Sequence, residues 1–234
     1  MLGNDVLTGL PASELTELSK RLNRVELRFN QVLLAVGQQI ESVWFPETAG
    51  ISLVLPMPEG REIECGMIGR EGIVGLGGAI TGGRSYTRQT VQMSGAALHL
   101  GRSDLLRCGR ELPAFSNCLH KSQDELVAHC MQVTACLALH KAEARLARIL
   151  LEFSDRTREN ELRVTHDTLA VSIGATRQTV TSILDRLERD GGIRIQRNRI
   201  LILDRSLIST HACSCYGTAV STDTGLRSPT KIRQ

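Results

Sequence analysis

Thr165 to Asp190 reads THDTLAVSIGATRQTVTSILDRLERD, followed at once by Gly191-Gly192 and the segment IRIQRNRILILD. Thr165 is a good N-cap, and Leu169, Ala170 and Ile173 recur behind it with helical spacing until Gly174 stops the helix. Thr176 caps a second helix, in which Val180, Ile183, Leu184 and Leu187 form one apolar stripe while Arg177, Gln178, Thr181, Ser182 and Arg186 fall largely elsewhere. Two short helices joined by a Gly-containing turn are the helix-turn-helix pattern. Beyond the Gly-Gly break, IRI and ILIL flank the polar tip QRNR as in a β-hairpin. The stretch therefore predicts a winged helix-turn-helix, a module that offers its second helix to a DNA major groove.

The charge balance points the same way, though weakly by itself. Residues 1–140 hold 12 Lys+Arg against 14 Asp+Glu, whereas residues 141–208 hold 13 against 10. A basic bias beside the predicted module suits phosphate contact. At 234 residues the chain can bury a real core as one large or two ordinary domains. No apolar run approaches the ~18 residues that span a bilayer, and MLGNDVLTGLPASELTEL lacks the pattern of a signal peptide. A cytoplasmic address with no membrane contact is the expectation.

Upstream, Leu15, Leu18, Leu22 and Val25 have helix-compatible spacing, so residues 11–28 are expected to open with a short amphipathic helix. From about Gln31 to Gly101 the texture changes to short apolar runs, VLLAV, SVWF, ISLVLPM, IECGMI, TVQM and ALHL, cut by turn residues. This reads as a compact antiparallel β-domain, whether barrel, roll or sandwich. The patch Gly69 to Ile80 is glycine-rich but fails as GxGxxG, since Ile80 occupies the third glycine position, and it lacks the GK[ST] of a P-loop. Tight turns in a β-domain explain most of it, with a retained ligand loop as the alternative.

Between about Ser103 and Ser154 the pattern is helical, interrupted only around Pro113. Leu119, Leu126, Val133, His140 and Ala147 lie seven apart, as do Cys130, Leu137, Ala144 and Leu151. The two rows share one face, the geometry of a coiled-coil seam, so this helix is expected to join two domains and to dimerise. The alternative is a helix packed on its own β-domain. From Lys141 the chain runs into the winged module, with Leu146, Ile149, Leu150 and Phe153 as a core face and LRV before Thr165 as a short strand of the wing sheet.

Seven cysteines, Cys65, Cys108, Cys118, Cys130, Cys136, Cys213 and Cys215, form no CxxC pair and no even framework. They read as reduced, mostly buried thiols. Cys136 and His140 are an i, i+4 pair that could hold a metal, but two ligands are too few; Cys213 and Cys215 fall in a polar, aperiodic segment that reads as a disordered tail, where they could be a redox or metal pair, although one CxC is a weak signal. No metal and no cofactor are assigned. No nucleophile–base pair or carboxylate constellation stands out either, so catalysis is not expected.

With a β-domain, a long helix and a winged module in that order, the chain resembles the Crp/Fnr family of bacterial transcription regulators over about residues 10–208. The sharpest match is T-x-x-x-L-A-x-x-x-G-A-T-R-Q-T-V, Thr165 through Val180, with Leu184, Leu187 and Gly192-Ile193 after it. The resemblance implies an α+β fold: an antiparallel β-roll of the cyclic-nucleotide-binding type as sensory domain (1–112), a dimerisation helix (113–140) and a winged helix-turn-helix (141–208), before the tail (209–234). It implies a homodimer on a palindromic double-stranded DNA site, with Leu119, Leu126, Cys130, Val133 and Leu137 in the dimer helix, and RNA polymerase as a partner if the protein activates.

Carried over residue by residue, Arg177 and Gln178 match the family's base-touching positions, joined by Thr181 and Ser182, the last where relatives often carry a second base-reading Arg. The chemistry agrees, because Arg can bind guanine O6 and N7 together and Gln adenine N6 and N7. Thr165, Thr176, Thr179, Arg186, Arg197 and Arg199 would meet the DNA backbone. The sensory domain departs from the pattern. Aligning Gly75 with the family's ligand-binding glycine puts Leu76 where a ribose-binding Glu belongs and Tyr86-Thr87 where an Arg-Ser pair would clamp a cyclic phosphate; Arg84, Thr87 or Arg88 would have to substitute. Cyclic AMP is therefore not expected as a strong ligand, because a ribose hydroxyl buried without a partner costs ~1–3 kcal/mol. With Cys65 as the first cysteine, the N-terminal iron–sulfur cluster of the oxygen-sensing branch is not expected, and the effector stays unassigned. The competing expectation is a small-molecule or redox sensor that signals through protein contacts.

Overall fold

The computed structural model describes residues 3–157 and 159–217. Two short helices, α1 (Asp5–Thr8) and α2 (Ala12–Ser19), lead into strands β1 (Asn23–Leu27), β2 (Val32–Leu34), β3 (Ser42–Pro46), β4 (Gly50–Pro56) and β5 (Glu62–Ile68). Helix α3 (Leu76–Thr81) precedes β6 (Arg88–Met93) and β7 (Gly95–Gly101). The strands make two antiparallel sheets, β1-β7-β3 and β2-β6-β4-β5, whose facing apolar side chains, among them Leu27, Ile51, Leu53, Val91 and Ala97, fill the space between. This is the expected β-roll of an α+β chain.

Helices α4 (Arg102–Glu111), α5 (Pro113–Leu139) and α6 (Ala142–Thr157) follow. Pro113 opens α5 at its first position, where a missing amide hydrogen costs nothing. The C-terminal part comprises β8 (Glu161–Leu162), α7 (His166–Ile173), α8 (Arg177–Arg189), β9 (Ile193–Gln196), β10 (Arg199–Ile202) and α9 (Arg205–His211). Its sheet runs β8-β10-β9; the strand that completes the wing is Glu161–Leu162, so of the expected LRV segment only Leu162 takes part. The outer face of the roll is covered by these helices: β5 packs on α5 and α7, and β4 on α6. Met67 and Met93 of the roll share one core with Leu146, Leu150, Leu169 and Leu184.

Three expectations are corrected. The first helix is short, because residues from Asn23 onward pair with β7, Val25 opposite Ala97, and the ladder outweighs the helical spacing. The long helix breaks at His140, whose backbone is extended (φ −108°, ψ 149°), so the two seven-residue rows do not continue into α6. The Arg145 guanidinium satisfies the open helix end by donating to the carbonyls of Leu137 (2.8 Å) and His140 (2.9 Å).

The disordered tail does not begin at residue 209. Asp204 caps α9 by accepting from the Leu207 amide (3.0 Å), Ile208 is wholly buried, and Cys213 and Cys215 are buried beyond it. The Tyr216 hydroxyl donates to Asp155 (3.0 Å) and fixes the following turn. The rest of the expected tail, 218–234, lies outside the described residues. Among the described residues no helix is long and apolar enough to cross a membrane.

Candidate nucleic-acid interface

The helix-turn-helix is built by two threonine caps and one glycine. The Thr165 hydroxyl accepts from the Thr168 amide (3.1 Å) and that of Thr176 from the Thr179 amide (3.1 Å), each closing a first turn. Gly174 sits at φ 59° between the helices, and a Cβ there would lie 2.9 Å from Ile63 Cδ1 and 3.3 Å from Leu137 Cδ2. The turn therefore needs both the left-handed backbone and the missing side chain, since it is pressed against β5 and α5. Below it, Val180, Ile183, Leu184 and Leu187 are buried, each contributing about 1.5–3 kcal/mol relative to exposure.

Burial of that stripe leaves the opposite face of α8 in solvent. Arg177, Gln178, Thr181, Ser182, Asp185 and Arg189 line one shallow depression along it. The Arg177 side chain is 69% exposed, and Asp167 lies 3.4 Å away as an equally exposed partner. Thr181 is more committed than expected: its hydroxyl donates to the Arg177 carbonyl (3.1 Å) and lies 2.8 Å from Nδ1 of His166, a bond that braces α8 against α7. Asp185 and Arg189 escaped the sequence reading, although the spacing 178, 182, 185, 189 would have found them.

The remaining expected DNA residues surround this face. Thr165, Thr176 and Thr179 are tied into the caps, with Thr176 Oγ1 2.9 Å from Thr179 Oγ1. Arg186 pairs with Glu143 (2.8 Å) and Arg199 with Glu161 (2.9 Å). Arg197 stands exposed at the wing tip beside Asn198, whose φ of 59° makes the reversal. Solvent screening makes such surface pairs weak, so phosphates can compete for these arginines.

The expected effector residues are engaged within the chain. Leu76 is buried in the apolar core with Leu34, Ile40 and Leu105, which corrects its placement in a ligand pocket. Gly75 is left-handed (φ 81°) at the start of α3, with Ser42 O only 3.1 Å from where a Cβ would stand. Arg84 donates to the Gly37 carbonyl (2.7 Å), Arg88 pairs with Glu62, and the Thr87 carbonyl accepts from the Ser85 hydroxyl. The expected dimer row also turns inward. Leu119 and Val133 are buried within the chain, Leu126 packs on the core of the roll, and Cys130 and Leu137 lie against Gly66 and Gly174. The roll claims that face, as in the alternative of a helix packed on its own domain. Val127, Met131 and Leu139 are exposed instead.

Residues 144–208 match the family model of the Crp-like helix-turn-helix domain. Over 227 residues the chain is 24% identical to the transcriptional regulatory protein btr of Bordetella pertussis, covering 91% of this chain and 93% of that protein. It is 23% identical over 214 residues to the CRP-like cAMP-activated global transcriptional regulator of Mycobacterium tuberculosis, covering 88% and 96%. Its fold is similar to that of FixK2 from Bradyrhizobium japonicum, with a TM-score of 0.70 at 16% identity over 82% of this chain and 98% of that one. The helix-turn-helix geometry, the order of parts and these likenesses agree: residues 144–208 form a Crp-like helix-turn-helix domain, and the chain as a whole is similar to transcriptional regulators of the Crp/Fnr family.

Proposed function

We propose that the protein acts as a homodimer on a palindromic DNA site, each copy placing α8 in one of two successive major grooves. The observation that carries this reading is the exposed face of α8, where Arg177, Gln178 and Ser182 lie in one row while the helix's apolar side is fully used inside the chain. Arg177 and Gln178 read base edges, with Thr181 and Ser182 beside them. Thr165, Thr176, Thr179, Arg186, Arg197 and Arg199 hold the phosphates, helped by the positive end of the α8 dipole. The organisation is a sensory roll over 1–112, a connecting helix over 113–140 and the DNA-binding part from 141.

The dimer seam in this proposal is the outward face of α5. His120, Asp124, Val127, Met131, Thr134 and Ala138 recur at alternating spacings of three and four, and Val127 and Met131 are 44% and 67% exposed. In this reading cyclic AMP is not a strong ligand, since Leu76, at the position aligned with the ribose acceptor, is a core side chain. If the protein activates transcription, RNA polymerase is its further partner.

Selection from random duplexes by the wild type and by Arg177→Ala tests the reading. The wild type should enrich a two-fold symmetric motif, and the variant should lose preference at one position in each half-site. Enrichment of the same motif with equal affinity by both proteins would remove Arg177 from base recognition.

A further inference from the structure

Four soft ligands from two distant parts of the chain converge where α5 ends. Cys136 lies in the last turn of that helix, His140 is its C-cap, and Cys213 and Cys215 lie in the turn after α9. Their ligand atoms all lie within 4.8 Å of one another. Cys136 Sγ is 3.5 Å from Cys213 Sγ, and Cys215 Sγ is 3.5 Å from Nδ1 of His140. All three cysteines are buried.

These spacings fit one occupant. Zinc bonds of about 2.3 Å to sulfur and 2.0–2.1 Å to imidazole nitrogen give tetrahedral edges of about 3.6–3.8 Å. The Cys136–Cys213 and Cys215–His140 edges, 3.5 Å each, are close to that and the others fall within 4.8 Å, whereas a disulfide needs ~2.05 Å between sulfurs. The surroundings are built for charge. Gln132 Nε2 donates to Cys215 Sγ (2.8 Å) and Arg148, 2% exposed, interacts electrostatically with Cys136 and Cys213. The Arg148 Nε is buried without a hydrogen-bond partner, and the guanidinium is otherwise engaged with Glu152 (2.6 Å). The backbone holds the Cys-x-Cys turn in place: the Cys213 amide donates to the Ala144 carbonyl (3.3 Å) and the Tyr216 amide to the Cys213 carbonyl (2.9 Å).

We propose that Cys136, His140, Cys213 and Cys215 form a closed Cys3His zinc site that staples the end of the long helix to the turn behind the DNA-binding module. On entry of Zn2+ the three thiols release their protons to water and neutral His140 coordinates through Nδ1. The resulting centre carries one negative charge, which Arg148 offsets. Its role is structural, because all four positions are taken by protein and none is left for water or substrate. The staple spans His140, the break between α5 and α6, and so fixes the angle at which any movement of α5 reaches α8.

The full chain, purified under reducing conditions without added metal, is expected to carry one equivalent of zinc by elemental analysis and native mass spectrometry. Exchange with Co2+ should give tetrahedral ligand-field bands and thiolate-to-cobalt charge transfer. Cys213→Ser should lose the stoichiometric metal, Cys65→Ser should keep it, and Gln132→Ala should weaken binding about 10–100-fold. If Cys213→Ser does not fold, His140→Cys decides: it retains four soft ligands, so it should hold one metal with stronger charge transfer. A wild type that takes up no Zn2+ or Co2+, that holds iron or copper instead, or that shows a Cys136–Cys213 disulfide by intact mass overturns the proposal, as does unaltered binding in folded Cys213→Ser.

Discussion

The Ser172 hydroxyl of α7 donates to the Glu64 carboxyl of β5 across 2.9 Å, joining the β-roll to the helix-turn-helix inside the protein. Ser52 holds the same carboxyl oxygen from within the roll, and Glu64 is 3% exposed. Burial pushes this carboxyl above its ordinary value, with the two serines and the Arg156 cation only partly opposing it. A carboxyl whose folded value is raised takes up a proton on folding. Its contribution is therefore present at low pH and is lost as pH rises from about 4.5 through the raised value. Glu64→Gln, which keeps an acceptor for both serines without a charge, should flatten that loss and raise stability above it. Glu64→Ala should destabilise by about 1–3 kcal/mol by orphaning the hydroxyls. Thermal unfolding of the three proteins across pH checks this; identical pH profiles for wild type and Glu64→Gln would refute it.

His129 of α5 produces the opposite dependence. Its Nε2 accepts from the Met67 amide (3.3 Å), and burial, reinforced by the Arg156 cation, lowers its pKa from 6.5 to about 4. The unfolded chain binds this proton first, so stability is complete above pH 6.5 and is lost as pH falls toward 4, by on the order of 3 kcal/mol. His129→Gln keeps an acceptor for Met67 and should abolish most of that acid-side loss. The check is the midpoint of urea unfolding at pH 7.5 and pH 5: the two midpoints should converge in the variant relative to wild type.

The exposed face of α8 was legible because each residue that builds it obeys a local rule. Thr165 and Thr176 are caps whose hydroxyls meet their own helix, Gly174 is a left-handed turn, and the Val180 stripe has one period and one destination. Strands β2 to β7 were legible for the same reason, since turn residues bound each apolar run. What failed depends on distant partners. Val25 belongs to β1 because Ala97 is across from it, and Leu119 and Val133 carry a heptad pattern equally suited to a second copy or to the roll. Cys136 and His140 read as two ligands short of a site, and Cys213 and Cys215 as tail, because their 77-residue separation closes only in three dimensions.

The outward face of α5 gives a test of assembly independent of DNA. Val127 and Met131 are exposed apolar side chains one helical turn apart on a helix whose other face is buried in its own chain. Val127→Glu with Met131→Glu should convert a dimer to a monomer in sedimentation velocity while leaving far-ultraviolet circular dichroism unchanged. Leu119→Glu should instead unfold the chain, because that position is core. A dimer that survives the double substitution would place the seam elsewhere.

Arg177 and Arg197 separate base reading from charge. Arg177 sits on the exposed row of α8, held only loosely by Asp167 at 3.4 Å, and Arg197 is at the tip of the wing. Once a selected site is in hand, Arg177→Ala should lose about 1–3 kcal/mol on that site and discriminate less against a changed base pair at one position of each half-site. Arg197→Ala should weaken selected and unrelated duplexes alike and lower the slope of log K against log salt by about 1 for every phosphate that each copy no longer neutralises. Titrations of both variants over a salt series distinguish the roles. If Arg177→Ala weakens every duplex equally and changes only the salt slope, Arg177 binds phosphate and sequence is read by Gln178 and its neighbours.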